Sequence, residues 1–210
     1  NVSVFVQISR TVLKNSESGC ANLETSIITQ ANCSVDNKSS HFCASPYLNA
    51  SVKPAYCLGN PFVDKPDWLP AIYQIGVRNP QGMDLDPLTK KVFISNHGPK
   101  GGDFIGEVKK GTNYGWKKVA WGGKNYSGTK VGEGNAWEPG LLRPDHIWVP
   151  SIGVGGIKFY NGDLFPEWQN SLLIGSLKFQ YLSVLERDGQ NFKEEKIIFK
   201  NKIGRIRDIE

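Results

Sequence analysis

The sequence predicts an all-β protein built of four-stranded antiparallel sheets, and three observations support this fold class. Short runs of alternating apolar and polar residues recur along the 210-residue chain, as in half-buried strands. Turn signals such as Asn161-Gly162 and Asp188-Gly189 separate these runs and favour tight hairpins. No window keeps helical apolar spacing beyond a turn or two, so we expect sheets rather than helices.

Composition and charge limit the kind of protein and its partners. With 39% hydrophobic residues over 210 positions, the chain can bury a real core. Its formal net charge is +5, but the lysines are scattered rather than aligned in a stripe. We therefore expect a solvated surface and no nucleic-acid partner. No apolar run reaches the length of a membrane-spanning helix, so we expect no membrane span.

The first segment, residues 1–66, differs in character from the rest of the chain. Residues 1–13 alternate well enough for one strand, and a loop-rich stretch of Ser, Asn and Pro follows. This stretch contains all four cysteines, Cys20, Cys33, Cys43 and Cys57. None of them forms the close CxxC pair of a zinc site. Their spacing favours two disulfides, with three possible connectivities, over reduced buried thiols.

Asn-x-Ser sequons add to the interpretation of this first segment. They begin at Asn1, Asn32, Asn37, Asn49 and Asn125. Sequons often arise by chance, but their clustering with cysteines favours an exported protein, either periplasmic or extracellular. Prokaryotic export would give the disulfides without any glycans. The chain begins with Asn and ends at Glu210 within what reads as a strand, so we expect a fragment of a longer protein.

The second segment, residues 67–210, has a regular pattern whose first unit centres on a hairpin. Residues 83–85 and 92–94 predict its two strands, and residues 86–89 supply the turn. Further strands are expected at residues 71–77 and 104–109. Because an antiparallel hairpin brings both strand ends to one edge, the polar clusters at 78–82 and 96–103 should lie side by side.

A second unit of strands follows a long excursion at residues 120–145. The excursion is rich in Gly and Trp, and loops of this length are usually functional or insertions. The unit begins at residues 146–151, and strands are then expected at residues 156–160, 171–177, 181–185 and 192–199. Four antiparallel strands within roughly 50 residues match one blade of a β-propeller. We expect residues 67–119 and 146–210 to form neighbouring blades, with a β-sandwich as the alternative.

Several cations at predicted strand ends indicate a pocket for a small polyanion. They are Arg78, Lys178, Arg205 and Arg207. The last two alternate with Ile206, so both should project from one face of a strand. Each could be an ordinary surface cation, but together they would bind carboxylates through charge-assisted hydrogen bonds. The backbone oxygens of Gly98-Pro99 are hard ligands that suit Ca²⁺.

Seven motifs in register resemble a known family. They are GVRNPQG, HGPKGGD, NYGW, WVPSIG, FYNGDLFPEW, GSLK and RIRD, in this order within residues 60–210. The chain resembles the soluble dehydrogenases that use pyrroloquinoline quinone (PQQ), above all the bacterial aldose sugar dehydrogenases of the glucose/sorbosone dehydrogenase family. The resemblance implies a six-bladed propeller, of which this chain would supply about three blades. It also implies oxidation of an aldose at the anomeric carbon to the lactone, with transfer of electrons to an external acceptor.

The same resemblance implies roles for individual residues. Arg78 would be catalytic, because it would polarise the quinone carbonyl that receives hydride. The cofactor contacts would be Arg78, Asn79, Gln81, Ser151, Lys178, Arg205 and Arg207. The backbone oxygens of Gly98 and Pro99 would bind the Ca²⁺ that also coordinates the quinone, and Asp103 would support their turn.

The chain departs from the family pattern at two places. Phe104 stands where the family commonly has Glu, and no general base is identified. His41 lacks the residues that surround the family's base, His97 lies in the turn expected to bind Ca²⁺, and His146 is expected to pack or cap. We therefore expect little or no dehydrogenase activity from these 210 residues by themselves.

A secreted, non-catalytic binding propeller, similar to the hedgehog-interacting-protein type, is the alternative function. The cysteines and sequons of residues 1–66 favour it. The set of cofactor-binding residues favours the enzyme lineage, because a pure binding module has no need of that combination.

Overall fold

Ten strands and one short 3₁₀ turn make up the secondary structure in the described part of the computed structural model. The described residues are 61, 62, 65, 66, 68, 72–189 and 191–210, together with the strand at 41–43. The strands are β1 (His41–Cys43), β2 (Ile72–Ile75), β3 (Pro80–Leu85), β4 (Val92–Asn96), β5 (Asp103–Glu107), β6 (His146–Trp148), β7 (Val154–Phe159), β8 (Leu172–Ser176), β9 (Leu182–Asp188) and β10 (Asn191–Ile198). The 3₁₀ turn is Pro166–Trp168. Within these ranges, no helix is long and apolar enough to cross a membrane.

The all-β prediction is confirmed by two four-stranded antiparallel sheets. The first sheet has the order β3-β4-β5-β6 and the second β10-β9-β8-β7. The predicted turn at residues 86–89 is present, and its conformation has a clear cause. The carboxylate of Asp86 accepts hydrogen bonds from the backbone of Leu88 and the hydroxyl of Thr89, as in an Asx turn.

The prediction that residues 67–119 complete the first sheet is wrong. Strand β2 pairs with β1 rather than with β3, and the fourth strand is β6, which follows the excursion. Local periodicity predicts that a stretch is extended but does not say which edge it pairs with. Gly76, at φ +76°, lies so close to residue 113 that a Cβ would come within 2.0 Å of the Asn113 side chain. The chain therefore turns against residues 113–115 before it enters β3.

The two sheets pack against each other through a shared core. Phe93, Ile105 and Trp148 of the first sheet cluster with residues of the second, including Ile157 and Leu185. Burial of this apolar surface is the main force that holds the sheets together. The core confirms the prediction that the two sheets pack together as neighbours.

Polar contacts add specificity to the sheet interface. The hydroxyl of Ser95 donates to the Gly155 carbonyl at 2.7 Å and accepts from the Gly82 amide at 2.8 Å. At the other end of the strands, Asp86 and Arg187 form an ion pair at 2.7 Å, with side chains 0% and 7% exposed. Such groups fix the relative register of the sheets, since leaving either partner buried alone is costly.

One end of the strands gathers the polar clusters singled out in the sequence. Here β3, β5 and β7 begin and β4, β6 and β8 end, as shown by the pairs Pro80–Asn96, Asp103–Trp148 and Val154–Ser176. We call this the site end. It confirms that the clusters at 78–82 and 96–103 lie side by side.

The expectation that Arg205 and Arg207 lie in a strand is wrong. Residues 204–210 have no strand assignment, although the Gly156 amide donates to the Arg207 carbonyl at 2.7 Å. This contact does not extend into a ladder among the described residues, and a strand needs a ladder. The backbone at 206–207 instead lies directly over Gly155, where a Cβ would come within 2.7 Å of the Ile206 oxygen.

The predictions for residues 1–66 lie almost wholly outside the described residues. These include the strand at 1–13, the two disulfides and the four sequons that begin at Asn1, Asn32, Asn37 and Asn49. Of the described residues in this segment, those of strand β1 include one cysteine, Cys43.

Candidate functional site

A cavity of about 650 Å³ opens at the site end of the two sheets. Six of the residues that the sequence assigns to the site line it: Gly98, Pro99, Asp103, Ser151, Lys178 and Arg205. They come from four stretches of the chain: the turn between β4 and β5 with the start of β5, the connection from β6 to β7, the residues just after β8, and the residues after β10. The packing of the second sheet against the first brings them together.

Asp103 lines the cavity and connects the two sheets there. Its side chain is buried, with the residue 1% exposed, and it accepts three backbone hydrogen bonds. One carboxylate oxygen accepts from the Gly98 amide at 2.9 Å. The other accepts from the amides of Gly153 and Val154 at 2.7 and 3.0 Å. The carboxylate therefore joins the turn of the first sheet to the first strand of the second, and both of its oxygens are occupied.

Arg78 adjoins the cavity at the same turn. Its Nη1 donates to the carbonyls of His97 and Gly98 at 3.4 and 3.3 Å. Its backbone is held by the buried side chain of Asn96, whose oxygen accepts from the amides of Arg78 and Asn79. The guanidinium also lies over the ring of Trp116. Arg78 is thus fixed at both ends.

Asn79 and Gln81 follow Arg78 in the chain, and neither is among the residues that line the cavity. The Gln81 amide donates to the Asn79 side-chain oxygen at 3.0 Å. The Asn79 carbonyl accepts from the His97 amide at 2.9 Å. These bonds hold the start of β3 against the turn that contains Gly98.

Lys178 and Ser151 both line the cavity and contact each other. The Lys178 ammonium donates to the Ser151 carbonyl at 3.3 Å and lies 4.8 Å from the centre of the Phe179 ring. Ser151 is buried, and its hydroxyl accepts from the Asp103 amide at 3.3 Å. Arg205 reaches the cavity, whereas Arg207, two residues later, does not line it.

The histidines differ in their contacts. His97 lines the cavity, and its Nε2 donates to the Val154 carbonyl at 2.6 Å. His146 packs edge-on against the Trp148 ring at 4.5 Å, as expected. Burial lowers the pKa of His146, and the charge of Glu195 opposes this shift. The side chain of His41 lies outside the described residues.

Phe104, the departure from the family pattern, has a structural role in this chain. It is 5% exposed and packs on Tyr114, with ring centres 4.8 Å apart. An apolar contact with the NYGW motif thus occupies the position where the family commonly has Glu.

Three further residues of this region were not predicted from the sequence: Asn96 as the anchor of Arg78, Lys100 at the cavity rim, and Tyr126 in the excursion. The signal for Asn96 was its place in the polar cluster at 96–103. Tyr126 carried the weaker signal of an aromatic residue in a turn-forming stretch. The excursion therefore contributes to the site, as a functional loop would.

The charges around the cavity are predominantly positive. Lys100, Lys178 and Arg205 line it, and Asp103, the acidic residue in the lining, directs its oxygens at backbone amides. A cavity with an excess of cations favours an anionic ligand, because Lys and Arg bind carboxylate or phosphate oxygens through charge-assisted hydrogen bonds.

Comparison with known proteins identifies relatives of this arrangement. Residues 48–210 match the family described as Glucose / Sorbosone dehydrogenase. The chain is 40% identical over 151 residues to aldose sugar dehydrogenase YliI of Escherichia coli strain K12, which covers 71% of this chain and 40% of that protein. It is 47% identical over 57 residues to quinoprotein glucose dehydrogenase B of Acinetobacter calcoaceticus, which covers 27% of this chain and 12% of that protein.

Solved structures are similar to the same part of the chain. The apo-form of the soluble aldose sugar dehydrogenase from Escherichia coli superposes with a TM-score of 0.69 at 39% identity, covering 73% of this chain and 44% of that one. A crystal structure of a glucose dehydrogenase gives a TM-score of 0.68 at 36% identity, covering 71% and 43%. The chain thus spans less than half the length of these relatives. Its two sheets and the motifs that form its cavity place it in the glucose/sorbosone dehydrogenase family.

Proposed function

We propose that this chain forms part of a sugar dehydrogenase that uses PQQ and Ca²⁺ to oxidise an aldose at its anomeric carbon to the lactone. The observation that carries the proposal is the cationic cavity, which Lys178 and Arg205 line together with the turn containing Gly98. The relatives named above are described as dehydrogenases, which favours the enzyme over the binding propeller. The electron acceptor would be external, and the protein would be exported.

The proposal includes a β-propeller in which the two sheets are neighbouring blades. A close backbone approach that occurs twice supports it. A Cβ on Gly82 of β3 would lie 2.8 Å from the Gly156 Cα of β7, and a Cβ on Gly155 of β7 would lie 2.7 Å from the Ile206 oxygen. In both cases, the first strand of a sheet lies against the backbone of the stretch that follows that sheet in the sequence. Such repetition is expected of blades around an axis and is not required of a β-sandwich.

The cations of the cavity suit an anionic quinone. The proposed contacts are those that the family resemblance implies: Arg78, Asn79, Gln81, Ser151, Lys178, Arg205 and Arg207. Lys178 and Arg205 can bind carboxylates of the cofactor in the cavity. Asn79 and Gln81 hold the backbone around Arg78.

Arg78 is the proposed catalytic residue. When bound, the quinone would supply the redox chemistry by accepting hydride from the sugar. Arg78 would place a fixed positive charge where negative charge develops, which lowers the barrier because little reorganisation is needed. Its contacts with Asn96 and with the Gly98 carbonyl hold it in place before the ligand binds.

The fit to Ca²⁺ is narrower. The Gly98 carbonyl already accepts a bond from Arg78, although a carbonyl oxygen has two lone pairs and can accept a second partner. Asp103 already accepts one backbone bond at Oδ1 and two at Oδ2, and we assign it the role of supporting the turn. The part of the chain that the structure describes has no cluster of three or more His, Cys, Asp or Glu side chains that could hold a metal. Since Ca²⁺ takes six to eight oxygen ligands, most would have to come from elsewhere, including the quinone.

A titration of PQQ and Ca²⁺ tests this function. Because Gly98 and Pro99 would supply only two oxygens, Ca²⁺ should bind weakly without PQQ, and each ligand should raise the affinity for the other. Calorimetry of PQQ with and without Ca²⁺ measures the coupling. Absence of PQQ binding to the folded chain under both conditions would refute the proposal. PQQ binding that does not respond to Ca²⁺ would refute the calcium site alone.

A further inference from the structure

The excursion brings one exposed aromatic ring to the mouth of the cavity. Tyr126 is 70% exposed, yet it lines the cavity. It lies in a short hydrogen-bonded hairpin in which the Asn125 amide donates to the Thr129 carbonyl at 2.7 Å and the Gly128 amide to the Asn125 carbonyl at 2.9 Å. The Asn125 side chain donates to Thr129 Oγ1 and the Lys130 carbonyl. The hairpin therefore presents Tyr126 in a defined place.

This hairpin is attached to the turn that contains Gly98. The backbones at Gly122 and Gly101 are in direct contact, since a Cβ on Gly122 would lie 2.5 Å from the Gly101 Cα. The Lys100 amide also donates to the Lys124 carbonyl at 3.4 Å. The turn and the hairpin therefore form one unit.

The Arg78 guanidinium lies over two aromatic rings from separate stretches of the chain. Its central carbon is 5.3 Å from the centre of the Trp116 ring and 5.8 Å from the centre of the Tyr126 ring. Both distances fall within the roughly 6 Å range of a cation–π interaction. Trp116 is half-buried, so Tyr126 provides the outer ring. Nη1 of the same guanidinium donates to the His97 and Gly98 carbonyls.

We propose that Tyr126 is a positioning residue that holds the Arg78 guanidinium at the cavity edge. Two aromatic faces and two carbonyls together restrict a long side chain that would otherwise sample several rotamers. The effect on the ligand rests on the proposed function, whereas the restraint on Arg78 exists without any ligand. The excursion at 120–145 would therefore influence the position of Arg78, the residue proposed to act on the cofactor, through a ring contact rather than a hydrogen bond.

Chemical modification of Arg78 tests the restraint without a ligand. Phenylglyoxal would be applied to the wild type, Tyr126→Phe and Tyr126→Leu, and each arginine followed by peptide mass mapping. We expect Arg78 to react about two- to fivefold faster in Tyr126→Leu, the ratio that an exposed cation–π contact gives, and nearly at the wild-type rate in Tyr126→Phe. Arg143, which stacks on Trp137 at 4.0 Å, is the internal reference. Equal rates in all three proteins, or a Phe variant as reactive as the Leu variant, would overturn the proposal.

A double-variant cycle then tests whether Tyr126 acts through Arg78. In the presence of Ca²⁺, Tyr126→Leu should weaken PQQ binding about two- to fivefold, and the same change should have no effect in an Arg78→Ala background. An equal loss in both backgrounds would mean that Tyr126 contacts the ligand directly and is not a positioning residue. Thermal unfolding checks that the exposed substitution leaves the fold intact. If the wild type binds no PQQ, the proposed function fails, while the modification rates still decide the role of Tyr126.

Discussion

At the scale of single residues, the site is organised by one buried carboxylate and by cations around it. Asp103 uses both oxygens on backbone amides of two sheets, so its charge fixes the turn and the β7 start in one position. Lys178 and Arg205 then face a cavity in which that charge is directed away from them. A ligand with carboxylates would therefore meet cations in a lining whose described carboxylate, Asp103, is bonded to backbone amides.

Removing individual cations should weaken binding according to their positions. We expect Lys178→Ala and Arg205→Ala each to reduce PQQ affinity by about 1.5–3 kcal/mol, the range for a hydrogen bond to a charged group. Lys110→Ala is a matched control, because Lys110 is exposed beyond the opposite end of β5. Arg207→Ala tests the sequence-based assignment of a residue that does not line the cavity. Calorimetry measures all four, and unchanged affinity in the first two variants would make these cations ordinary surface residues.

The buried ion pair Asp86–Arg187 should contribute to stability through its charges. The largest influence on the Asp86 pKa is burial, which raises it, but hydrogen bonds from Thr89 and Leu88 and the charge of Arg187 together lower it below 3.8. A lowered folded-state pKa contributes stability that is present above the unfolded value of 3.8 and is lost as pH falls through the folded value. Denaturant unfolding of Asp86→Asn should therefore show a weaker loss of stability below about pH 4 than the wild type.

Arg187→Met provides the complementary measurement. It would leave Asp86 charged and buried without its partner, so we expect a loss of about 3–5 kcal/mol in the free energy of unfolding at neutral pH. The double variant Asp86→Asn, Arg187→Met should recover part of this loss, because it removes the uncompensated charge. No recovery would mean that packing of Arg187 over Phe159 and Phe192 accounts for the effect.

At the scale of elements, β3 and β7, which are the first strands of the two sheets, approach each other closely at glycine residues. Gly82 faces Gly156 with no space for a side chain. This approach lets Ser95 bridge the Gly82 amide and the Gly155 carbonyl. The sheets are therefore aligned by backbone contact next to the site, and the wider apolar core lies behind it.

Gly82→Ala should separate β3 from β7. We expect a loss of about 1–3 kcal/mol in unfolding free energy, as for overpacking of a tight core, together with weaker PQQ binding. Gly189→Ala is the control: Gly189 has φ +61° but nothing within 4 Å of a Cβ, so it carries only a backbone cost of about 1 kcal/mol. Urea unfolding compares them. A smaller loss in Gly82→Ala than in Gly189→Ala would show that the sheets adjust without cost.

At the scale of the whole molecule, the chain covers 40% of the curated aldose sugar dehydrogenase that it matches. The residues proposed to hold a cofactor are present, but the described histidines have other contacts. Nε2 of His97 is bonded to Val154, and His146 packs on Trp148. A positioned base typically raises the rate of a proton-transfer step about 10²–10⁴-fold. Without such a base, sugar oxidation would be slower by about this factor.

We therefore expect little or no dye-linked aldose oxidation by these 210 residues, even with PQQ and Ca²⁺ supplied. A protein that spans the full length of the relatives named above should be active under the same assay. The comparison is informative only if PQQ binding to both proteins is measured first. Rapid turnover by the 210-residue chain that disappears in His97→Ala would identify His97 as the base and contradict this expectation.

The sequence alone determined the fold class, most strand positions and six of the residues that line the cavity. Alternation and turn residues are local signals, so β4, β8 and the hairpin turn at Asp188-Gly189 were predicted closely. The clusters at 78–82 and 96–103 were placed together because hairpin geometry is also local. Motifs in register were enough to indicate the family.

Only the tertiary structure decided how these pieces meet. Strand β6 joins the first sheet after the long connection at residues 108–145, and edge pairing over such a distance depends on packing rather than on periodicity. The structure also placed Arg205 at the cavity and Arg207 outside it, although their alternation predicted one face, because residues 204–210 form no strand. The contact of Tyr126 with Arg78 was also decided by the tertiary structure. Contacts between distant stretches follow from how backbones pack, as at Gly101 and Gly122.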